Sequence, residues 1–283
     1  MNTLKIVFLM TFLTVLLVGV GQLAGGSQGA ALALVLAAGM NLFTYFFSDR
    51  MVLASTGARL VTESEAPELH AVVRSLATKA GIPMPRVAII PQEAPNAFAT
   101  GRDPEHAVVA ATEGLLELVN KDELEGVLGH ELGHVLRRDI LLGAIAATLA
   151  GALTYVSQMA LWGGMRRDDR EEGGSNPLAS LLTVLLAPIA AAIVQAMISR
   201  QAEFRADETG ARLCGQPLEL ASALEKLEAS SHRAELQASP STSHLFIVNP
   251  FPGGLARLFS THPPTEERVA RLEAMARGGM TPS

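Results

Sequence analysis

Hydrophobic and polar positions along this chain fall into long blocks before any short period is visible. No charged residue occurs from Ile6 to Ser48, and only the small and polar stretch Gly19 to Gly29 (GVGQLAGGSQG) interrupts the apolar run. This predicts two membrane helices, about Ile6 to Ala24 and Ala30 to Phe47, each close to the roughly 20 residues that a bilayer core requires. A cleaved signal peptide is the competing reading, because Lys5 precedes an apolar stretch, but the second stretch follows too closely to favour it. Lys5 lies before the pair, Arg50 after it, and no Lys or Arg between, so both ends are expected on the cytoplasmic side. Two further charge-free runs, Ile140 to Met165 and Leu178 to Ser199, are also long enough to span. Pro188 lies inside the second. Buried helices of a soluble core are the alternative for this pair, and Arg166, Arg167 and Arg170 in the loop between them strain the positive-inside rule. Either way the pair is a hairpin that returns the chain to the side it left.

Between the two apolar pairs the chain is polar enough to be soluble. A helix is expected around Ala66 to Ala80, stopping at Gly81. Pro85 to Pro91 (PRVAIIP) reads as a short strand bounded by prolines, Asn96 to Gly101 (NAFATG) as a loop, and His106 to Thr112 (HAVVAAT) as a second strand. A small sheet follows, whose edge either holds an extended peptide or only completes a core. Beyond Ser199 a helix is expected from Pro217 to Ala229, then a Ser-rich stretch from His232 to His244 and an irregular one from Phe246 to Pro252. A last helix runs from Thr261 to Ala276 with Val269, Leu272 and Met275 on its buried face. The expected organisation is an N-terminal transmembrane hairpin (1–50), a first part of a catalytic domain (51–138), a second transmembrane hairpin (139–199) and a C-terminal part of the same domain (200–283). The fold class is a mainly α membrane protein with about four transmembrane helices and an α+β catalytic domain with a small sheet.

Composition agrees with the blocks. Hydrophobic residues make up 49% and aromatic residues only 5% of the 283 positions, and the mean hydropathy is +0.29. That is too apolar for an ordinary soluble domain. A net charge of −6 gives no nucleic-acid footprint. Cys214 is the single cysteine, which excludes an internal disulfide and a Cys-based zinc site and leaves a small buried residue as its role.

The chemistry is concentrated in Asn120 to Ile140, NKDELEGVLGHELGHVLRRDI, where His130, Glu131 and His134 stand in the order H-E-x-x-H. On a helix the i, i+4 spacing puts the two imidazoles on one face, where they can bind one metal ion, with Glu131 about 100° around the axis and within reach of a water on that ion. The helix is supported independently by an Asn120/Glu123 capping box and by Leu124, Val127, Leu128, Leu132 and Val135 at helical spacing. Zinc suits two neutral imidazoles and lowers the pKa of bound water from about 15.7 towards about 7. An open fourth position requires a third protein ligand. Val135 to Leu142 contains neither glycine nor histidine before Leu142, so the metzincin extension is absent. The candidates are His70, His106, His232, His244, His262 and Glu203, the last in SRQAEFRADETGA. Glu203 and Asp207 share one helical face, which suits a ligand followed by a carboxylate that orients a histidine. Ordinary solvated i, i+4 charges explain the same spacing, and spacing alone leaves both readings open. His262, just before the last helix, is by position a cap or surface residue.

Two apolar spans, NAFATG, HELGH with Arg137, Arg138 and Asp139 after it, two more apolar runs, SRQAEFRADETGA and STHPPTEERVARL occur here in one order. That order resembles the HtpX family of bacterial membrane-bound zinc metalloproteases, gluzincins related to the CAAX prenyl endopeptidases, over nearly the whole chain. The resemblance implies a zincin-like catalytic domain with one Zn²⁺ per chain, Glu203 as third ligand beside His130 and His134, and Asp207 as partner of a zinc-binding histidine. It implies Glu131 as the catalytic base, His262 as a hydrogen-bond donor near the tetrahedral intermediate, and Asn96, Ala97, Phe98 and Ala99 along the substrate. It further implies a multi-pass enzyme of the bacterial inner membrane whose active site faces the cytoplasm. Such an enzyme cleaves damaged or misassembled membrane proteins as part of quality control under stress, and it cleaves itself. Two rivals remain at this stage. An intramembrane protease would have to bury Lys121, Asp122, Glu123 and Glu125 in lipid, which is costly. A membrane scaffold with structural zinc would have no use for Glu131.

Overall fold

The structure is a computed structural model that describes residues 2–146, 148–149, 151–152, 200–231 and 263–278. It divides into two compact units, one of residues 3–44 with 142–197 and one of Asn2, Tyr45–Leu141 and Ile198–Ser283.

The first unit contains most of helix α1 (Asn2–Thr56), which is two helical arms joined at a break. Gly25 and Gly26 leave helical geometry there, and Gly26 adopts φ 60°, ψ −146°, a conformation open to glycine and closed to residues with a Cβ. The two arms, Asn2–Gln22 and Gly25–Thr56, are each long and apolar enough to cross a membrane. They match the two expected helices, although the second runs on to Thr56 rather than ending near Phe47. Most of their apolar side chains face outward, the arrangement lipid favours and water does not. Between the arms the approach is close: a Cβ at Gly29 would run into the Gly21 backbone carbonyl, and one at Gly21 would meet Ala33. Asn41 Nδ2 donates to Thr14 Oγ1 (3.0 Å) and to the Met10 carbonyl (3.2 Å), joining the arms by hydrogen bonds. Of the second expected hairpin, residues 139–146 are helical with Leu142 and Ile145 buried. The rest of its two runs lies almost wholly outside the described residues.

The second unit is built on a four-stranded mixed sheet of order β1-β2-β4-β3, with β1 (Arg59–Leu60), β2 (Arg86–Ile90), β3 (Ala97–Thr100) and β4 (Val108–Thr112). β2 and β4 are parallel in the register Val87↔Val109, and β3 runs antiparallel to β4 with Phe98 opposite Ala110. The two strands expected from sequence are present, but β4 starts at Val108 because Pro104–His106 forms a 3-10 turn capped by Asp103. One expectation is corrected: Asn96 to Gly101 is not a loop. Its Ala97–Thr100 forms the edge strand β3, buried along its whole length. Ala97 and Ala99 face the main core, while Phe98 packs with Ile90 and Val108 on the opposite face, as alternation requires.

Helices cover the Ala97/Ala99 face. They are α2 (Pro67–Ala80), α3 (Glu113–Leu118), α4 (Lys121–Arg137), α5 (Arg200–Cys214), α6 (Pro217–Ser231) and α7 (Thr265–Ala276). α2 is closed by Gly81 in the left-handed conformation. α4 opens on the expected capping box, Asn120 Oδ1 accepting from Glu123 N and Glu123 Oε2 from Asn120 N. The same Glu123 carboxylate, almost fully buried, also accepts from Ser222 and Lys226, which ties α4 to α6. Val127, Leu128 and Leu132 of α4 are wholly inaccessible and form the centre of the core with Leu76, Leu115, Leu220 and Leu272.

Candidate active site

α4 and α5 lie unusually close because the face between them carries no bulk. A Cβ at Gly129 would stand 3.1 Å from Gly210 Cα, one at Gly133 3.1 Å from Ala206 Cα, and one at Gly210 only 2.6 Å from the His130 backbone nitrogen. Close approach brings the acidic face of α5 against the two imidazoles of α4. His130, Glu131, Glu203 and Asp207 are all buried, and His134 is nearly so.

The side-chain geometry follows from which ring nitrogen is engaged. His130 Nδ1 donates to Asp207 Oδ1 (2.8 Å) and His134 Nδ1 to Asp139 Oδ2 (3.2 Å). In the neutral rings this leaves each Nε2 as the acceptor, and the two Nε2 atoms point at each other across 3.3 Å with the rings nearly perpendicular, at 86°. Glu203 completes a triangle, Oε2 lying 3.8 Å from His130 Nε2 and Oε1 3.5 Å from His134 Nε2. Three ligands at about 2.0–2.1 Å from a tetrahedral zinc lie roughly 3.4 Å apart. Two imidazole nitrogens and a carboxylate at these separations therefore fit one such ion, with a fourth direction free of these ligands. The charge balance also fits a cation. Glu131, Glu203, Asp207 and Asp139 surround the two histidines, and among the described residues the Arg268 guanidinium offsets them.

Arg268 was not among the residues singled out from sequence. It projects from α7, is 1% exposed, and grips Asp207 bidentately, Nε donating to Oδ2 (2.8 Å) and Nη2 to Oδ1 (2.6 Å). Burial works against ionisation of Asp207, but the Arg268 charge and its hydrogen bonds, with His130, hold the carboxyl at about 2. Asp139, which follows HELGH in the motif, is given no role by the sequence reading. It stands five residues beyond His134, outside i, i+4 reach, and turns back because Arg138 closes α4 in the left-handed conformation (φ 59°). Asn2 donates to its other oxygen and to the Arg137 carbonyl. Burial lowers the His134 imidazole, yet the Asp139 hydrogen bond and the carboxylates of Glu203 and Glu131 outweigh it and raise it to about 9 without metal. A cation entering the site displaces that proton.

Glu131 points to the sheet. Its Oε2 accepts from the backbone N–H of Ala99 (3.0 Å). Burial pushes its carboxyl above the usual range and Glu203 adds to the rise, against the pull of the two histidines. Because the Thr112 N–H donates to the Asn96 carbonyl, alternation along the ladder sends the backbone groups of Ala97 and Ala99 to the outer edge, where Ala99 meets Glu131. Asn96 itself is buried and bonded to Thr112, and the Phe98 side chain belongs to the other face. Of the remaining histidines, His70 bonds to the Val61 carbonyl and His106 to Asp103. His232, His244 and His262 lie outside the described residues.

Comparison with known proteins gives the family. The chain matches the model of peptidase family M48 over residues 63–276. It is 56% identical over 280 residues to a protease HtpX homolog from Thermodesulfovibrio yellowstonii, covering 98% of this chain and 99% of that protein. It is 55% identical over 274 residues to a protease HtpX homolog from Thermococcus kodakarensis, covering 95% of this chain and 94% of that one. Among solved structures it resembles the crystal structure of S. mikatae Ste24p, with a TM-score of 0.52 at 19% identity over 84% of this chain and 57% of that one, a likeness of fold. The match spans both the H-E-x-x-H helix and the helix carrying Arg268, and on that ground the chain belongs to peptidase family M48 and is a membrane metalloendopeptidase.

Proposed function

We propose that His130, His134 and Glu203 hold one zinc ion and that the protein hydrolyses peptide bonds of damaged or misassembled membrane proteins at the cytoplasmic face of the bacterial inner membrane. The observation that carries the reading is the triangle of three donor atoms with Glu131 beside it, held by Ala99. When bound, zinc supplies the Lewis acidity that activates a water and polarises a carbonyl. Glu131 takes the proton of the attacking water and passes it to the leaving nitrogen. Asp207 and Asp139 keep the imidazoles in the tautomer that presents Nε2. The edge of β3 at Ala97 and Ala99 pairs with an extended segment of substrate, which sets the scissile bond against Glu131. Asn96 and Phe98 serve by holding that edge in place, and His262 acts as a hydrogen-bond donor to the developing oxyanion.

The cytoplasmic assignment rests on Lys5 and Arg50 flanking a hairpin whose turn has no basic residue. Four spans, with residues 140–199 forming the second hairpin, place Glu203 on the side where His130 lies. The domain organisation is that of one catalytic domain divided by this hairpin. Self-cleavage follows when a segment of a neighbouring copy reaches β3.

The test is proteolysis of an unfolded model substrate by detergent-purified, metal-stripped protein before and after zinc is restored, with Glu131→Ala in parallel. Cleavage by the zinc-loaded wild type alone, with zinc bound equally by both, is expected. Equal cleavage by Glu131→Ala would overturn the assignment of the base. Thiol labelling of an Asn120→Cys variant in inverted vesicles checks the side, with reaction expected there and protection in right-side-out vesicles.

A further inference from the structure

Away from the zinc site, three arginines from three separate elements converge on one cavity of about 230 Å³: Arg50 near the end of α1, Arg86 at the start of β2, and Arg102 in the turn after β3. Their surroundings separate their roles. Arg86 is paired with Asp49, which removes that carboxylate as a competitor. Arg102 is fixed on one edge by Asp103 and His106 and lies over the Phe46 ring at 5.3 Å. Arg50 lies over the Phe47 ring at 5.3 Å and forms no ion pair among the described residues. A guanidinium stacked on an aromatic face keeps its N–H edge for an acceptor, and Arg binds phosphate oxygens in that edge-on way. Glu105, the other carboxylate of the lining, is exposed at the surface.

The position along the chain indicates which phosphate is meant. The charge-free part of the second arm, Ala30 to Ser48, has the length of one hydrocarbon core, and Asp49 and Arg50 are the first charges after it. The headgroup layer therefore begins at the level of the cavity. Phe43, Phe46 and Phe47 are exposed just before it, as aromatic residues are at a membrane interface, and Met84, from the turn before β2, is an exposed apolar residue of the same lining. We propose that the cavity binds the phosphodiester headgroup of an anionic phospholipid, with Arg50 and Arg102 as its principal contacts and Arg86 supporting them. The proposal rests on the membrane assignment of α1 and is independent of catalysis.

The experiment is native mass spectrometry of the full chain released from nanodiscs, with thermal melting and zinc stoichiometry as controls of folding. One phosphatidylglycerol retained per chain, in preference to phosphatidylcholine, is expected. Arg50→Gln lowers its retention about fivefold, and Arg50→Gln with Arg102→Gln roughly twenty-five-fold, if each arginine contributes what a basic residue does at an anionic surface. Arg50→Lys retains more than Arg50→Gln. Inorganic phosphate and glycerol 3-phosphate fail to displace the lipid. Equal retention of the two lipids, unchanged retention in the folded double variant, or displacement by soluble phosphate would overturn the proposal. Zinc-dependent cleavage of a soluble substrate is unaltered in Arg50→Gln, so a failed lipid result and a failed protease result are separable.

Discussion

The arms of α1 and the α4/α5 pair use one device for opposite ends. In both, small residues let two helices approach until a Cβ would collide: Gly21 with Gly29 in the first, Gly129, Gly133 and Gly210 in the second. In both, polar side chains sit between the helices. Leu36 of α1 is 57% exposed, whereas Leu132 of α4 is completely buried. The arms turn their apolar residues outward and close on a few neutral polar contacts. The catalytic pair turns its apolar residues inward and closes on buried charge. A close approach in lipid gains van der Waals contact for its own sake. In the catalytic unit it delivers a carboxylate to two imidazoles, so disturbance there is felt as lost chemistry as well as lost stability.

The contrast is tested most severely at Arg268. Replacing it by Met leaves the Asp207 carboxylate buried without its main counter-charge, a defect that costs about 3–5 kcal/mol. Arg268→Met is expected to melt far below the wild type in detergent and to lose zinc, and Asp207→Asn added to it recovers much of the melting temperature because the uncompensated charge is gone. A single variant as stable as the wild type would mean that buried charge is no more demanding here than the neutral contacts between the arms.

Next is Gly210→Val. The new Cβ meets backbone, which cannot rotate away, so the helices must part and incur at least the roughly 1–3 kcal/mol of an overpacked core. Zinc per chain, measured by atomic absorption, is expected to fall together with the melting temperature. Gly29→Val, the same insult between the arms, leaves zinc stoichiometry at one. Loss of zinc in both would erase the distinction.

How far the sequence conveys this arrangement depends on whether a feature is local. α4, its capping box and the H-E-x-x-H triad are readable because each involves residues within one or two turns. β3 is not, since Ala97–Thr100 is a short strand buried on both faces and owes its conformation to β4, which follows it in the chain. Spacing leaves Glu203 undecided between ligand and solvated charge, and its burial against α4 excludes the solvated charge. Arg268 had a signal that was not used. It lies four residues before Leu272 and seven before Met275, so it is a charge on the very stripe assigned to the core. Asp139 stands in the motif, but its contact with His134 had no signal, because the route back depends on a left-handed non-glycine residue, Arg138, that no local pattern announces.

Asp139→Ala removes the hydrogen bond to His134 and leaves the three donor atoms intact. Loss of such a partner weakens metal affinity about 10–100-fold. Competition with a zinc chelator is expected to show that loss, while zinc at saturating concentration restores most of the cleavage rate. No recovery at saturation would assign Asp139 a role in the reaction itself rather than in holding the imidazole.

The smallest effect is expected between the arms. Asn41 joins them by hydrogen bonds, to Thr14 and to the Met10 carbonyl, and by analogy with the catalytic unit its loss would be severe. The solvent makes the difference. Separated helices within a membrane find other partners for their polar groups, so an interhelical hydrogen bond contributes on average only about 0.6 kcal/mol. Asn41→Leu also leaves no charge stranded, and the Thr14 hydroxyl keeps its own bond to Met10. A melting temperature close to the wild type, one zinc per chain and full cleavage are expected. If Asn41→Leu instead proved as destabilising as Arg268→Met, the arms would have to be packed in a protein interior, since only there does one neutral polar contact carry so much of the fold.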